Sequence, residues 1–263
     1  MIYEGVQGVP KFICTEFRPK QTKYCLCIPI INEGERIRNE LLRGIKHNID
    51  KIVDIIICDG DSKDGCTSQD SLKDLGVNTL LVKKDVGKQG AQLRMGMWWA
   101  LQRGYEGIIT IDGNNKDSIE DVVRFIEMLD KGYDFVQGSR FIKGGKAINT
   151  PFIRLVSVRL IHAPIISITA RKLFTDTTNA YRAHSKKFLE HAGVQPFRDI
   201  FSSYELLAYL SVRASQLQLK TCEVPVTRFY PKHEKTPTKI SPVKGNWLLI
   251  KILFNNLFGK YNP

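Results

Sequence analysis

Carboxylates and amides close three apolar runs in the first half of the chain. Residues 28–33 read I-P-I-I-N-E and end on Asn32 and Glu33; residues 55–61 read I-I-I-C-D-G-D and end on Asp59 and Asp61; residues 108–114 read I-I-T-I-D-G-N and end on Asp112 and Asn114. Carboxylates in such places can accept hydrogen bonds from a base N–H and from ribose hydroxyls. A carboxylate and an oxygen ligand two residues apart, Asp112 and Asn114, can hold a hard cation against a diphosphate. A fourth segment, V-G-K-Q-G-A (86–91), sets Lys88 beside an expected helix N-terminus, a pairing suited to a diphosphate. Each segment also has a plainer reading. Asp59-Gly60-Asp61-Ser62 could be a turn with helix-capping side chains, and Asp112-Gly113 a D-G turn. Lys88 lies in neither a G-x-x-x-x-G-K-[ST] nor a G-x-G-x-x-G pattern.

The elements that must position these residues follow from periodicity. Residues 24–31 read as a strand, 33–47 as a helix with Ile37, Leu41, Leu42 and Ile45 on one face, and 52–58 as a strand of the fully buried kind. A short helix near 67–75, a strand over 77–83, a helix over 89–103 with Leu93 and Met97 inward, and a strand over 107–111 continue the alternation. A helix over 118–129 with Ser118 as cap and a strand over 135–138 complete it. Repeated β-α-β units imply a parallel sheet with helices on both faces, and ligands then bind beyond the carboxyl ends of the strands. Asn32, Glu33, Asp59, Asp61 and Asp112 fall there. In the second half, 150–171 reads as a long helix that Pro164 kinks or splits. Residues 201–214 read as a helix, 216–225 as a strand, 230–242 as a polar loop and 244–258 as an amphipathic helix.

With 263 residues and 43% hydrophobic content, the chain suits one large α/β domain. Its net charge of +12 suggests an anionic partner: nucleic acid, a membrane surface or a phosphorylated substrate. The six cysteines contain no C-x-x-C pair and are expected as buried, reduced thiols. No run reaches the ~18 uninterrupted apolar residues of a membrane span, so a soluble or peripheral protein is expected.

Taken together and in order, the segments resemble the family 2 glycosyltransferases of the GT-A fold. The closest likeness is to the dolichyl-phosphate mannosyltransferase and polyprenyl-phosphate glycosyltransferase group. D-G-D-S-K-D-G (59–65) matches the family's D-D-G-S-x-D-x with Gly60 in place of the second Asp, and V-G-K-Q-G-A loosely matches its N-x-G-x-G-x-A. G-S-R-F (138–141), T-D-T-T-N-A-Y-R-A (175–183), and E-V-P-V (223–226) followed by K-T-P-T-K-I-S (235–241) match later motifs. The resemblance implies a Rossmann-like, mostly parallel sheet flanked by helices over 24–242, after an N-terminal extension (1–23) and before a C-terminal amphipathic helix (243–263). Pro29, Asn32, Glu33, Asp59 and Asp61 would hold the nucleoside of a nucleotide-sugar donor. Lys88 and Asp112 would lie near the sugar and diphosphate, and Asp176 would face the sugar. Arg140, Arg154, Ser157, Lys232 and Lys239 would receive the acceptor phosphate or the donor diphosphate.

One departure concerns the metal. The family writes D-x-D-x-Q where this chain has Asp112, Asn114 and Lys116. Asn114 can ligate through its carbonyl but brings no charge, and protonated Lys116 cannot ligate. The alternatives are a weakened Mg²⁺ or Mn²⁺ site on Asp112 and Asn114, with Asp117 compensating, or a site in which Lys116 supplies the charge. A retained, weaker metal is the expectation.

The implied reaction is an inverting displacement at an anomeric carbon, with charge developing on the leaving diphosphate. A polyprenyl-phosphate acceptor is already anionic and needs cations, whereas a glycan hydroxyl needs a base, for which Asp176 is the candidate. The 246–258 segment, with flanking lysines, suits a membrane interface, the protein's own core or a small membrane partner. A cytoplasmic enzyme, peripheral at the cytoplasmic face of a membrane, is expected. Q-x-x-R-W, the mark of processive synthases, is absent. A nucleic-acid-binding module would show aromatic–basic interleaving, which the sequence lacks, and a nucleotidyltransferase would need a Gly-rich basic loop after its first strand.

Overall fold

The computed structural model describes residues 1–231 and 244–263. Its strands are β1 (Ile2–Tyr3), β2 (Phe12–Glu16), β3 (Tyr24–Ile30), β4 (Asp54–Asp59), β5 (Val77–Lys83), β6 (Gly107–Thr110), β7 (Phe135–Ser139), β8 (Lys146–Ile148), β9 (Arg182–Ser185), β10 (Thr221–Pro225) and β11 (Thr227–Phe229). Its helices are α1 (Glu35–Lys46), α2 (Ile49–Ile52), α3 (Gln69–Asp74), α4 (Gln89–Gln102), α5 (Val122–Asp130), α6 (Phe152–Ser157), α7 (Ala163–Ala170), α8 (Lys186–Leu189), α9 (Glu205–Gln216) and α10 (Lys244–Leu257).

Nine strands make one sheet in the order β1-β2-β5-β4-β3-β6-β9-β7-β10. The run β5-β4-β3-β6 is parallel throughout, and β9 enters antiparallel between β6 and β7. From β3 the chain builds to one side through β4 and β5, then crosses back to lay β6 on the other. That reversal opens a crevice beyond the carboxyl ends of β3, β4 and β6. All positions of β3 and β4 are buried, as continuous apolar runs between two helical layers require. Alternation divides their side chains. Cys25, Cys27 and Cys58 join Leu93 and Met97 of α4 in one core. Leu26 and Ile28 meet Ile37 and Leu41 of α1 and Phe125 of α5 in the other. All six cysteines are free thiols, four of them buried.

Several elements differ from expectation. Residues before 24 supply β1 and β2, and β2 pairs antiparallel with β5. Ser118 makes no cap; its hydroxyl donates to the carbonyl of Thr227 (3.3 Å), and a 3₁₀ turn at Ile119–Asp121 precedes α5. The long helix after residue 150 is interrupted by a π turn at Val158–His162, just before Pro164 in the first turn of α7. A proline removes a backbone donor, and a wide turn absorbs that loss. By length and composition the continuous run Phe152–Ala170 is apolar enough to cross a bilayer, a possibility that uninterrupted apolar residues did not reveal. The three-residue strands β8 and β11 pair parallel as a separate ribbon; neither was expected.

Candidate functional site

The residues expected to hold a nucleoside lie at and just past the ends of β3 and β4. Ile30 pairs with Asp59 in the parallel register, so the turns that follow lie side by side. Asp59 is buried, and its carboxylate accepts from the backbone N–H of Asp61 (3.1 Å) and Ser62 (3.0 Å) and from the Ser62 hydroxyl (2.5 Å). Burial pushes the Asp59 carboxyl up, and these hydrogen bonds oppose the rise. Ser62 Oγ in turn accepts from Asn32 N–H, and Asn32 Oδ1 accepts from Lys63 N–H, each at 2.8 Å. These are the bonds of the turn reading of this segment. Asp59 and Pro29 lie buried, Asn32 is exposed and Asp61 half-buried; Asn32 and Asp61 are both in the left-handed region (φ 49° and 73°). Asp61 pairs with Lys63 (2.8 Å) and Lys84 (2.6 Å), which hold its carboxyl below the usual range. Glu33 pairs with Arg36 at 2.8 Å.

Lys88 immediately precedes α4 and is exposed. Its backbone N–H donates to Ser202 O (2.7 Å), and that of Gly90 donates to Ser203 O (2.5 Å). A Cβ at Gly90 would lie 2.5 Å from Phe201 O, so glycine is needed for this close approach.

Asp112 lies two residues past the end of β6. A Cβ on the following Gly113 would meet Ile30 Cγ2 at 2.4 Å and Ile28 Cγ2 at 3.0 Å. Gly113→Ala should therefore lower stability by about 1–3 kcal/mol through overpacking, read as a reduced urea midpoint at unchanged slope.

The Asp112 carboxylate is held on both oxygens. Gln89 Nε2 donates to Oδ1 (2.9 Å), and Arg228 donates to Oδ2 (3.2 Å). Arg228 also donates to Asp117 Oδ2. Burial raises the Asp112 carboxyl, but Arg228 and Lys116 outweigh it and leave it below its ordinary value. Burial leaves the Asp117 carboxyl raised despite Arg228. Lys116 is buried, and burial together with Arg228 brings its ammonium down to about 8. The Asn114 carbonyl accepts from Lys116 N–H at 3.3 Å. This donor set does not fit a divalent cation: one carboxylate already faces a guanidinium, one amide is turned to its own backbone, and the third position is an ammonium. Among the described residues, no three His, Cys, Asp or Glu side chains are placed to hold a metal.

Behind this cluster lies Asp176, expected to face the sugar. It is fully buried and takes a bidentate pair from Arg140 (2.6 and 2.8 Å), with Arg140 N–H at 3.2 Å. Both oxygens of Asp176 are engaged by Arg140. Arg140 is likewise buried, and it also donates to Thr178 (3.1 Å). Glu223, in the E-V-P segment, fixes the turn before Asp176 by accepting from Thr175 N–H and Oγ1 (both 2.9 Å).

Arg154, on α6, donates to the Tyr230 hydroxyl at 3.0 Å. Around the Tyr230 ring stand Lys116 Nζ (5.3 Å), Arg154 (5.6 Å) and Arg228 (5.7 Å). Burial pushes the Tyr230 phenol up, yet Arg228 and Arg154 bring it down to about 8. Ser157 lies one turn on from Arg154, half-buried. Lys232 and Lys239 lie outside the described residues.

Sequence reasoning missed Gln89, Arg228 and Tyr230 as site residues. Gln89 stood inside a quoted motif beside Lys88. Arg228 lay between the E-V-P segment and the 230–242 loop, and Tyr230 opened that loop, with no local signal to mark either.

Beyond this cluster, α6, the π turn and α7 present Phe152, Ile153, Leu160 and Ile168 to solvent at 75, 84, 71 and 69% exposure. Helix α7 packs on α9 and α10. On α10, Ile252 and Leu253 are buried while Trp247, Ile250 and Phe254 are exposed; this helix covers core and also leaves an apolar face outward.

No protein-family model matches the chain. It is 27% identical over 213 residues to polyprenol monophosphomannose synthase of Mycolicibacterium smegmatis, a match covering 80% of this chain and 78% of that protein. It is 28% identical over 204 residues to undecaprenyl-phosphate mannosyltransferase of Micrococcus luteus, covering 76% and 81% respectively. Its structure is similar to glucosyl-3-phosphoglycerate synthase from Mycobacterium tuberculosis in complex with Mn²⁺, uridine diphosphate and phosphoglyceric acid. The TM-score is 0.62 at 15% identity, over 90% of this chain and 78% of that one. The fold is that of the GT-A glycosyltransferases.

Proposed function

We infer that the chain is an inverting glycosyltransferase that moves a sugar from a nucleoside-diphosphate sugar to a polyprenyl phosphate. One observation carries the acceptor class. A single helical run, Phe152–Ala170, carries Arg154, which bonds Tyr230 beside the cationic cluster, and also exposes the apolar side chains of Phe152, Ile153 and Leu160. A lipid phosphate has that same combination of an anionic head and an apolar tail. The sequence relatives, whose names specify polyprenol and undecaprenyl-phosphate mannose transfer, support this.

The acceptor phosphate oxygen attacks the anomeric carbon as the bond from that carbon to the diphosphate breaks. The nucleoside diphosphate leaves with the electron pair, and configuration inverts. The attacking oxygen is already anionic, so no proton must be removed. The protein's work is to position two anions and neutralise the charge that grows on the leaving group. In this proposal Asn32, Glu33 and Asp61 face the nucleoside, Lys88 and the start of α4 face the diphosphate, and Arg154 receives the acceptor phosphate. Peripheral association with a membrane through the α6, α7 and α10 faces is part of the same proposal. The glycan-hydroxyl alternative would need a free base, and Asp176 is committed to Arg140.

Labelled GDP-mannose and UDP-glucose, each with dolichyl or undecaprenyl phosphate in detergent, test this. The expected product is a solvent-extractable lipid-linked sugar of inverted configuration. Arg154→Ala should raise KM for the lipid phosphate roughly 10–100-fold, the worth of a charged hydrogen bond, with little change in donor KM. Transfer only to soluble saccharide hydroxyls would refute the acceptor assignment.

A further inference from the structure

The fold's metal position raises a question of charge. A departing diphosphate needs fixed positive charge beside it, and in this chain the residues at that position do not make a cation site. What they do make is ordered. Strand β11 carries Arg228, and its backbone is tied to the segment carrying Lys116. Phe229 N–H donates to Lys116 O (2.7 Å), Ser118 N–H donates to Thr227 O (3.0 Å), and Asp117 and Arg228 form a β-bridge. The ribbon partner β8 holds β11 from its other side. Arg228 is therefore fixed by backbone pairing as well as by its two carboxylates.

We propose that Arg228 and Lys116 together take the place of the divalent cation, so that this enzyme binds and activates its nucleotide diphosphate without metal. This rests on the glycosyltransferase reading above. Two side-chain cations carry the charge of one divalent ion, and Asp112 and Asp117 balance them as anionic ligands would balance a metal. Arg228 contacts Asp112 directly (3.2 Å), engaging the carboxylate that would otherwise be available to hold a metal. Both cations are buried, so water screens their field little at a diphosphate laid against them. Gln89 orients Asp112 from the opposite side at 2.9 Å, and Tyr230 faces both cations across one ring. Lys116 in place of the family's glutamine and Arg228 on the ribbon belong to one arrangement: an ammonium at 116 excludes the ion and a guanidinium supplies what the ion would have given.

Calorimetric titration of GDP, UDP, dTDP and CDP into the full chain tests the proposal, first in EDTA and then in millimolar Mn²⁺, with Mn²⁺ paramagnetic resonance as a second readout. The nucleotide that binds tightest should bind equally in both media, within about threefold, and Mn²⁺ should give only its free-ion spectrum. Arg228→Gln should weaken binding in EDTA by at least about tenfold, the loss of a charge-assisted contact. Because that variant leaves Asp117 unpaired and could destabilise the fold, a second one is informative. The double variant Asn114→Asp/Lys116→Gln writes the three-ligand metal pattern with Asp112, and it should acquire Mn²⁺-dependent nucleotide binding and a bound-ion signal. Nucleotide binding by the native chain only with Mn²⁺, accompanied by bound-ion resonance, would overturn the proposal while leaving the glycosyltransferase reading intact. Failure of all four nucleotides to bind in either medium would overturn both.

Discussion

Asp176→Asn should lower the melting temperature by roughly 10 °C and reduce transfer as a consequence of misplacing Arg140. Removing one partner of a buried ion pair costs about 3–5 kcal/mol because the other charge stays buried and uncompensated. In a domain of this size each kcal/mol moves the melting temperature by about 2–4 °C. The pair here is bidentate, at 2.6 and 2.8 Å, with both side chains almost wholly inaccessible. Asparagine keeps the shape and one acceptor but not the charge. Arg140→Lys should also destabilise, since an ammonium cannot reproduce two parallel contacts to one carboxylate. If Asp176 were a general base, the outcome would differ: unchanged melting, intact donor binding and lost turnover. Thermal denaturation and donor calorimetry on the same variant separate the two. Normal stability with abolished turnover would return Asp176 to the base role and revive the hydroxyl-acceptor alternative.

The parts legible in the sequence were those whose signals are local. Tyr24–Ile30 and Val77–Lys83 announce themselves by composition, and the observed strands fall within a residue of the expected ends. The site's carboxylates were legible for the same reason: they sit at the ends of such runs. What stayed hidden was set by pairing across sequence distance. Strands β8 and β11 are three residues each, too short for any period, and they exist because they pair with one another. Arg228 could not be assigned because its partners Asp112 and Asp117 lie 116 and 111 residues away. The burial of Asp176 and its pairing with Arg140 were hidden as well, because a motif does not encode burial. A basic residue at 116 was visible as a departure; its meaning required seeing a second cation beside it.

The proposed membrane association makes the remaining large prediction. Replacing Phe152, Ile153 and Leu160 together with Asn should reduce binding to vesicles of anionic phospholipid by roughly a hundredfold. Three large side chains entering an interface to about half their depth contribute about 1 kcal/mol each, near 3 kcal/mol in sum, and each 1.4 kcal/mol is about tenfold. All three are more than two-thirds exposed, so the variant removes no core contact and the melting temperature should hold. Charge supplies the rest: Arg159, Arg171 and Lys172 are exposed on or just beyond the same helical run, and each basic residue near an anionic surface adds about 1 kcal/mol. Binding by the native chain should therefore weaken at high salt but not vanish, while that of the triple variant should vanish. Deleting residues 246–263 would be a poor substitute for this experiment, because Ile252, Leu253 and Tyr261 belong to the core. Nucleotide affinity should be the same in native and triple-variant protein, since the proposed nucleoside site lies at the ends of β3 and β4, on other elements. The decisive comparison is transfer to full-length polyprenyl phosphate in vesicles against transfer to a short-chain, water-soluble analogue. The triple variant should lose the first and keep the second. Equal loss of both would mean that these side chains shape the pocket itself, and equal retention would mean that the acceptor's tail lies elsewhere.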